Sequence, residues 1–384
     1  MSHDHDIHSQ AAIRVDLGAI FVSLELSRKT WLITSLSPGS GEKMSRHTTP
    51  AAAGLGGLLA RLSELQAKAK ARTGRDYRVV LIMEAGLDGF WIHRALEEEG
   101  IESYVVDAAS IAVSRRGRRA KSDRIDGEAL LRTLMAFKRG EPRVCSMVRA
   151  PSPEDEDRRR VCRERKVLVA ERTAHINRIK GLLFTQGVGD YEPALKNRRR
   201  ALEALRTGDG RPLPERLKQQ IGRELDRLEM TMQQIKMIEA ERDALFAVEQ
   251  APGARVARLR GIGPEFSAVL GGEAFYRHFD NRRQIAAYAG LAATPWKSGS
   301  IDREQGVSKA GNPRLRTTLI QLSWLWLQHQ PASELSQWFN QRMQGGSART
   351  KKVMIVALAR KLLIALWRFE TQGEVPAGAV LKAA

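Results

Sequence analysis

The amino-acid sequence predicts an α/β protein: a mixed sheet covered by helices, then a helical middle part and a mainly α-helical C-terminal part. Three observations lead to this fold class. Short β-rich runs alternate with amphipathic helices before residue 141, a heptad-like apolar spacing follows residue 215, and apolar helices fill the end of the chain. At 384 residues the chain is long enough for two or three domains, each with its own core.

Changes in composition divide the chain into segments. We expect a disordered lead-in over residues 1–11, a sheet-containing domain over 12–141, a linker with a helical or coiled-coil region over 142–250, a C-terminal domain over 251–370 and a loose tail over 371–384. The lead-in is polar and has no apolar signal-peptide core. Each segment therefore has a distinct expected role.

The elements of the sheet-containing domain follow from its periodicity. In order they are strands over residues 12–17, 20–26 and 31–36, a helix over 50–70, a strand over 77–83, a helix over 89–99, a strand over 103–107 and a helix that begins near residue 123. The first three strands are expected to form an antiparallel meander. This βββαβαβα order is typical of the ribonuclease H-like arrangement, a mixed sheet covered by helices.

Four acidic residues fall at the ends of these elements. Asp16 ends the first predicted strand, Glu84 follows the fourth, and Asp123 and Asp126 project from one face of the first turn of the last helix. Strand ends along one edge of such a sheet are where sites form. Mg²⁺ prefers carboxylate oxygens, so the set predicts a site for two Mg²⁺ ions at a phosphodiester. The alternative is that Asp123 caps the helix and Asp126 favours its positive end.

The charge balance indicates a polyanionic partner. The formal net charge is +19 and the pI is about 10.3, which favours binding to nucleic acid or an anionic membrane surface. No apolar run is long enough to span a membrane, so we expect no membrane partner. A basic run directly before the helix of Asp123 would hold a polyanion near the acids; its members are Arg115, Arg116, Arg118, Arg119 and Lys121.

The two cysteines, Cys145 and Cys162, fit neither a zinc site nor a disulfide framework. Histidines are few and are not at zinc-ligand spacing, and a Gly-rich lysine loop for nucleotides is absent. We therefore expect a reducing cytosol.

The middle region carries an apolar seam. A charged helix is predicted over residues 155–185, and a basic, irregular stretch over 190–214 follows it. Apolar residues then recur at spacings of four and three: Leu217, Ile221, Leu225, Leu228, Met232, Ile235 and Ile238. Two interpretations carry equal weight. The seam pairs helices between chains in a homo-oligomer (a dimer or tetramer), or it packs against the 155–185 helix of the same chain.

Two features of the C-terminal part predict contacts with phosphate. The segment 259–264 and the helix after it resemble a helix-hairpin-helix, in which Gly261 and Gly263 let backbone N–H groups approach a phosphate. Farther on, Asn312 as cap and Pro313 at the first helical position open a helix. That helix start is positive, and its first turn carries two further cations, Arg314 and Arg316.

Ser298 is a candidate nucleophile. It lies between Lys297 and Gly299 in a predicted loop that can expose its hydroxyl, and three cations near it in sequence could bind phosphate or lower a pKa. Those cations are Lys297, Arg303 and Lys309. The alternative is a solvated turn residue, and Ser300 and Ser308 are its rivals.

Read together, these motifs resemble the transposases of the IS110 family, including its IS1111 branch. The matching stretches are Val15-Asp16-Leu17-Gly18, Met83-Glu84-Ala85-Gly86, Lys121-Ser122-Asp123-Arg124-Ile125-Asp126-Gly127, Gly261-Ile262-Gly263-Pro264, Ile285-Ala286-Ala287-Tyr288-Ala289-Gly290-Leu291, Ser298-Gly299 and Ser308-Lys309-Ala310-Gly311-Asn312-Pro313. The resemblance implies a RuvC-like DEDD domain followed by a serine-bearing transposase domain.

The resemblance also implies roles for individual residues. Asp16, Glu84, Asp123 and Asp126 would be the metal-binding acids, and Ser298 would join covalently to DNA during strand exchange. It further implies a structured non-coding guide RNA and a composite site, with the acids of one subunit meeting Ser298 of another.

Other classes remain open on the sequence alone. A structure-specific RuvC-like endonuclease would use the same acids without a covalent serine intermediate. An actin-like sugar or acid kinase would share Val15-Asp16-Leu17-Gly18, but it should show a second Asp-x-Gly motif, which the chain lacks, and should not carry a charge of +19. A non-catalytic nucleic-acid-binding protein is expected if the acids do not converge.

Overall fold

A computed structural model describes residues 18–41, 43–86, 90–111, 123–141, 144–247, 251–298 and 301–382. Within these ranges it describes only the backbone at residues 109, 123–125, 295–298 and 301–305. The chain divides into two compact units, Met1–Ala150 and Pro151–Ala384. The predicted helical region thus belongs to the same unit as the C-terminal part.

The first unit holds six strands and three longer helices among its described residues. The strands are β1 (Ala19–Leu26), β2 (Thr30–Leu36), β3 (Ser45–Pro50), β4 (Arg78–Glu84), β5 (Glu102–Val106) and β6 (Met147–Val148). The helices are α1 (Gly54–Thr73), α2 (Trp91–Glu98) and α3 (Asp123–Lys138). Short 3-10 turns span Ala51–Ala53 and Ala108–Ser110.

These strands form one mixed sheet in the order β3-β2-β1-β4-β5-β6. β1, β2 and β3 are antiparallel neighbours, β4 and β5 run parallel to β1, and β6 is antiparallel to β5. Alternate side chains of each strand point to opposite faces, and each face has a core. One core packs α1 and α2 onto the sheet and the other packs α3, which fixes the face from which α3 approaches.

Two strands of this sheet differ from the sequence prediction. β3 was missed because its residues are polar and, as an edge strand, it buries only Thr49, so no apolar alternation marks it. β6 lies inside the predicted linker and has only two residues. The strand predicted over residues 12–17 lies outside the described residues.

Among the described residues of the second unit, the regular elements are helices and one hairpin. Its helices are α4 (Pro153–Phe184), α5 (Arg198–Ala204), α6 (Glu215–Phe246), α7 (Ala254–Ala257), α8 (Pro264–Leu270), α9 (Arg282–Tyr288), α10 (Pro313–His329), α11 (Glu334–Met343) and α12 (Ala348–Gln372). A π-helical turn, Gly271–Phe275, continues α8. The hairpin joins β7 (Ala293–Ser298) to β8 (Ile301–Val307).

The apolar seam of α6 packs within the chain. Ile221, Leu225 and Leu228 share a core with Ile179 and Leu183 of α4. Farther along, Ile235 and Ile238 share a second core with Val161 and Leu168 of α4. Of the two interpretations of this seam, the structure has the intramolecular helical hairpin, which we call the α4–α6 hairpin.

The chain end is more ordered than the sequence indicates. We expected residues 371–384 to be loose, yet the amide N–H of Val380 donates to Gln330 Oε1 at 2.8 Å and its carbonyl accepts from Arg260 N at 3.0 Å. The Lys382 ammonium donates to the Ile262 carbonyl at 2.8 Å. These are contacts between residues distant in sequence, so local composition could not predict them.

Candidate active site

Two glutamates reach the same end and the same face of the sheet. β1 and β4 are parallel, and the last pair in register is Leu24 with Met83, so Glu25 and Glu84 follow at the same end. On β1, Ser23 points toward α3, because its Oγ donates to the carbonyl of Gly127 at 2.8 Å. Glu25 is two residues farther along and therefore shares that face.

Glu84 reaches this face by the same alternation on β4. Val80 and Ile82 belong to the core that packs α3 onto the sheet, and Glu84, the exposed last residue of the strand, is the next residue on that side. The carboxylates of Glu25 and Glu84 thus lie at the same end and on the same face of the sheet as α3. An oxygen-ligand site requires carboxylates that are close together.

Close packing brings the first turn of α3 onto the strands. A Cβ on Gly127 would lie 2.6 Å from Thr34 Oγ1 on β2 and 3.0 Å from Glu25 Oε1 on β1. A real Cβ essentially never lies as close as 2.6 Å to a heavy atom, so alanine at this position would require the Thr34 side chain or the helix to shift. An ion pair between Arg46 on β3 and Glu128 on α3 adds a second tie.

The structure describes some of the predicted acids and not others. α3 begins at Asp123, as the sequence predicted, and Asp126 lies half-buried in its first turn. The side chain of Asp123 is not among those described. Asp16 and the basic residues Arg115, Arg116, Arg118, Arg119 and Lys121 lie outside the described residues, so these assignments stay predictions.

Glu25 is the acidic residue that the sequence reasoning missed. The sequence pattern around Glu25 could have identified it. It is a lone carboxylate between Leu24 and Leu26, near the end of a strand whose other residues are apolar or small. A strand over residues 12–17, as the sequence predicts, would instead place Asp16 at the strand end. Among the described side chains, no three of His, Cys, Asp and Glu lie close enough to hold one ion.

Ser298 ends a strand and is not part of the loop that the sequence predicted. It is the last residue of β7 and pairs with Ile301 of β8, while Lys297 pairs with Asp302 and Trp296 with Arg303. The serine therefore sits at the outer end of a two-stranded hairpin. The side chains of Lys297, Ser298 and Arg303 are not among those described, so their roles stay predictions.

The base of this hairpin is packed tightly against α9 and α10. A Cβ on Gly311 would lie 2.5 Å from the Tyr288 carbonyl, and its φ of +119° favours glycine as well. The Asn312 N–H donates to that same carbonyl at 2.7 Å, and Ser308 N–H donates to Ala292 O at 2.8 Å. The segments 285–291 and 308–313, which are distant in sequence, thus meet at one place under the hairpin.

Asn312 caps α10 as predicted and also contacts a buried carboxylate. Its Oδ1 accepts from the N–H groups of Arg314 and Leu315, at 3.0 and 3.1 Å. Its Nδ2 donates to Glu273 at 2.9 Å. Glu273 is 2% exposed and forms a two-bonded ion pair with Arg163 of α4, so the helix start is tied to the α4–α6 hairpin.

Of the predicted phosphate-binding cations in this region, two are engaged by the protein itself. The Arg314 guanidinium lies 3.4 Å from Glu273 and donates to the Cys162 carbonyl. Arg316 donates to the Lys309 carbonyl at 2.9 Å, while the Lys309 side chain is exposed. Their roles toward phosphate stay predictions, but Arg314 has a structural role first.

In the predicted helix-hairpin-helix at residues 259–264, the backbone conformation and a close neighbour both favour glycine at position 261. Gly261 has a φ of +88°, and a Cβ there would lie 2.6 Å from the Cβ of His329. Gly263 is the N-cap of α8. The short helices α7 and α8 flank this turn, and phosphate binding by Gly261 and Gly263 stays a prediction.

Neither cysteine is prepared for nucleophilic chemistry. Burial, with a further effect of the Glu265 charge, raises the pKa of the Cys162 thiol to about 12. Burial also raises the pKa of Cys145. Because the thiolate is the reactive form, a hydroxyl is the better candidate nucleophile in this chain.

Comparison with known proteins identifies close relatives. Residues 253–337 match the family described as Transposase IS116/IS110/IS902. The chain is 64% identical over 383 residues to the protein named "Putative transposase y4rJ" of Sinorhizobium fredii (strain NBRC 101917 / NGR234), covering 97% of this chain and 96% of that protein. It is 28% identical over 257 residues to the transposase for insertion sequence element IS1111A of Coxiella burnetii, covering 66% and 68%.

A further relative is the transposase for insertion sequence element IS1328 of Yersinia enterocolitica. The identity is 25% over 268 residues, covering 66% of this chain and 73% of that protein. Among the described residues, no helix is both long and apolar enough to cross a membrane.

Proposed function

This chain belongs to the transposase IS116/IS110/IS902 family and is a DNA transposase; we propose that it cuts and rejoins DNA strands of an insertion sequence with Mg²⁺-bound acids and a serine nucleophile. The observation that carries this proposal is the convergence of Glu25, Glu84 and the start of α3 on one face at one end of the sheet. The net charge of +19 suits DNA as the substrate.

The proposal includes a ribonuclease H-like, specifically RuvC-like, first domain. The strand order β3-β2-β1-β4-β5, with a meander of three antiparallel strands followed by two parallel ones, supports it. In the second unit, a helix-hairpin-helix made of α7, the Gly261 turn and α8 is the corresponding proposal for backbone contact with phosphate.

The residues that would hold Mg²⁺ are Glu84, Asp123 and Asp126, with Glu25 or Asp16 as the strand acid. Glu25 fits better than a residue before β1, because it comes at the strand end beside Glu84. Bound ions would stabilise charge on the attacking and leaving oxygens of a phosphodiester. The protein's own contribution is to hold the carboxylates at fixed spacing, which the tight contact at Gly127 supports.

The proposed role of Ser298 is to conserve the bond energy of the cleaved strand. Its Oγ would form a phosphoester with one DNA end while the leaving hydroxyl oxygen takes a proton, and attack by a hydroxyl of another strand would restore the serine. Lys297, Arg303 and Lys309 would bind the flanking phosphates. A position at the end of a hairpin anchored on α9 and α10 supports this role.

The decisive experiment looks for protein-linked DNA. The full chain is incubated with its element-end DNA, target DNA, candidate guide RNA and Mg²⁺, then denatured. We expect Ser298→Ala to lose the adduct and to keep DNA binding, whereas the matched changes Ser300→Ala and Ser308→Ala keep both. Cleavage that proceeds normally without any adduct would favour the alternative, a RuvC-like endonuclease without a covalent intermediate.

The acid site has its own test. Asp123→Asn should abolish strand cleavage and leave nucleic-acid binding largely intact. Gly127→Ala should displace α3 from Thr34 and Glu25 and lower the cleavage rate by about 100-fold, as misplacement of about 1 Å can do. The control is Gly222→Ala in α6, where a Cβ meets nothing within 4 Å; equal rates for both glycine variants would argue against this geometry.

We also propose a homo-oligomer that uses a different surface from the one first predicted. The Leu217–Ile238 seam is buried within the chain, but α4 carries a second stripe at heptad-like spacings of three and four. Its six members are all exposed: Val167, Ala170, Ala174, Asn177, Gly181 and Phe184. Met230 and Met237, seven residues apart on α6, are 64% and 65% exposed.

Exposed apolar residues at this spacing are suited to pairing with helices of a second copy. Light scattering at micromolar concentration should find a dimer or tetramer that Met230→Glu with Met237→Glu weakens. The same double change at Gln219 and Gln233, which are exposed and polar, is the control. A monomer in the presence of nucleic acid would contradict the composite site.

A structured guide RNA and association with the nucleoid complete the proposal, and the excess positive charge supports both. Binding should be steeply salt-dependent: about 6–10 neutralised phosphates lower affinity by orders of magnitude between low and physiological salt. A flat salt response measured with element-derived RNA and DNA would contradict a polyanion partner.

A further inference from the structure

One part of the second unit combines an exposed and a half-buried tryptophan with cations, and it contains none of the proposed catalytic residues. We call it the cationic tryptophan surface, defined by Trp324 of α10, Trp338 and Arg342 of α11, and Lys351 and Lys361 of α12. Beneath it lies a small apolar core of Phe339, Ile355 and Leu358, which Trp338 contacts. The rings are therefore mounted on packed helices.

Each tryptophan of this surface has a cation over its ring. Lys351 Nζ lies 5.3 Å from the ring centroid of Trp324. Lys361 Nζ lies 4.7 Å and the Arg342 guanidinium carbon 5.9 Å from that of Trp338. Trp324 is 40% exposed, so much of the ring is open to a ligand, and exposed cation–π contacts are weak enough to rearrange around one.

The chain segment that carries four of the five residues of this surface has charged residues of one sign. Between Leu335 and Phe369 the chain has no aspartate or glutamate and seven cations: Arg342, Arg349, Lys351, Lys352, Arg360, Lys361 and Arg368. Among the residues that the structure describes, none of the seven forms an ion pair with an acid. Such an electric field attracts a polyanion, and no described acid neutralises it.

The combination of rings and cations selects one form of nucleic acid. A duplex needs only the cations, because its bases are already stacked on each other and present no free faces. Unpaired bases can stack on indole rings while lysine and arginine bind the adjoining phosphates. An exposed Trp324 with Lys351 over its ring is therefore suited to a single strand.

We propose that the cationic tryptophan surface binds unpaired nucleic acid, stacking bases on Trp324 and Trp338 and holding the backbone with Arg342, Lys351 and Lys361. It is a binding site additional to the proposed strand chemistry. RNA and DNA strands share the chemistry that it recognises, and the experiment separates them.

The experiment measures binding of the full chain to fluorescent probes by anisotropy. The probes are a 15-nucleotide oligo(dT), a 15-nucleotide oligo(U) and a DNA duplex of the same length. Trp324→Leu keeps an apolar side chain and removes the stacking ring. We expect it to weaken binding of a single strand by about 5- to 100-fold, as the loss of one stacked base does, and duplex binding by less than about twofold.

Controls separate stacking from charge and from folding. Trp91→Leu, in the first unit, removes an indole that is 45% exposed and lies against Trp31, and it should leave single-strand binding unchanged. Lys351→Gln with Lys361→Gln should weaken binding and lower the slope of log affinity against log salt by about 0.7 per lost contact. Circular dichroism checks that each variant is folded.

Two outcomes would overturn the proposal. Unchanged single-strand affinity in both Trp324→Leu and the lysine variant would show that the surface binds no strand. Equal loss for duplex and single strand would assign it to duplex DNA. Loss confined to oligo(dT) or to oligo(U) identifies the natural strand and supports the proposal. Anisotropy of these probes needs no strand cleavage, so failure of the serine chemistry and failure of this surface are distinguishable.

Discussion

The α4–α6 hairpin and the cationic tryptophan surface are both rich in arginine or lysine, yet they use these residues differently. In the hairpin, Arg178 and Arg227 both pair with Glu224, and Arg165 pairs with Glu239. On the surface, no described acid pairs with any cation between residues 342 and 368. The two regions look alike in composition. The ion pairs that each cation forms distinguish the cations that stabilise the fold from the cations that can bind a ligand.

The largest effect on stability is expected at the centre of the hairpin. Glu224 is 5% exposed and accepts hydrogen bonds from His175 at 2.7 Å, Arg178 at 2.9 Å and Arg227 at 2.7 Å. Glu224→Ala leaves these donors without their acceptor and should lower the free energy of unfolding by about 1–3 kcal/mol, a value reduced because both arginines are half-exposed.

Urea denaturation of the full chain measures this effect. The control is Glu203→Ala, which removes a 67% exposed partner of Lys218 and should change stability by less than about 0.5 kcal/mol. Equal changes in the free energy of unfolding would contradict this interpretation, because the charges of the hairpin would then stabilise the fold no more than exposed charges do.

The second effect is a dependence on pH. Burial alone would raise the pKa of Glu224, but hydrogen bonds from His175 and Arg178 outweigh it and leave the pKa below its ordinary value of 4.5. A lowered folded-state pKa means that this stabilisation is fully present above pH 4.5 and is lost as the pH falls below it.

Thermal unfolding between pH 3 and pH 6 checks that sign. The unchanged chain should lose stability below about pH 4.5, and the difference between it and Glu224→Gln should shrink over the same range. A difference that stays constant with pH would show that Glu224 is not held ionised by its partners.

The smallest effect on stability is expected at the cationic tryptophan surface. Lys351→Gln with Lys352→Gln removes two exposed cations that no described acid pairs with, so unfolding should change by less than about 0.5 kcal/mol. The salt dependence of nucleic-acid binding should fall measurably at the same time. A large loss of stability, measured by the same urea denaturation, would mean that these cations serve the fold after all.

Within the first unit, several features were predictable from local pattern. The apolar runs of β1, β2, β4 and β5 and the amphipathic α1 are confirmed within a few residues, because burial of one face leaves a period in the sequence. The helix predicted near residue 123 is present as α3. In the second unit, the Asn312 cap of α10 is also confirmed, since a cap is a local hydrogen bond. Long-range partners leave no such period.

The mixed α/β class, the long helices and the positive charge were predictable from composition and short-range spacing, and the family from the resemblance of its motifs. Three features became visible only in the folded chain: Glu25 lies near the end of β1 beside Glu84, the α6 seam packs within the chain, and Ser298 lies in a strand. The physical reason is that register between strands and the choice among helix partners depend on contacts between distant residues. The same reason explains why Arg314 pairs with Glu273 while Lys351 lies over an exposed indole.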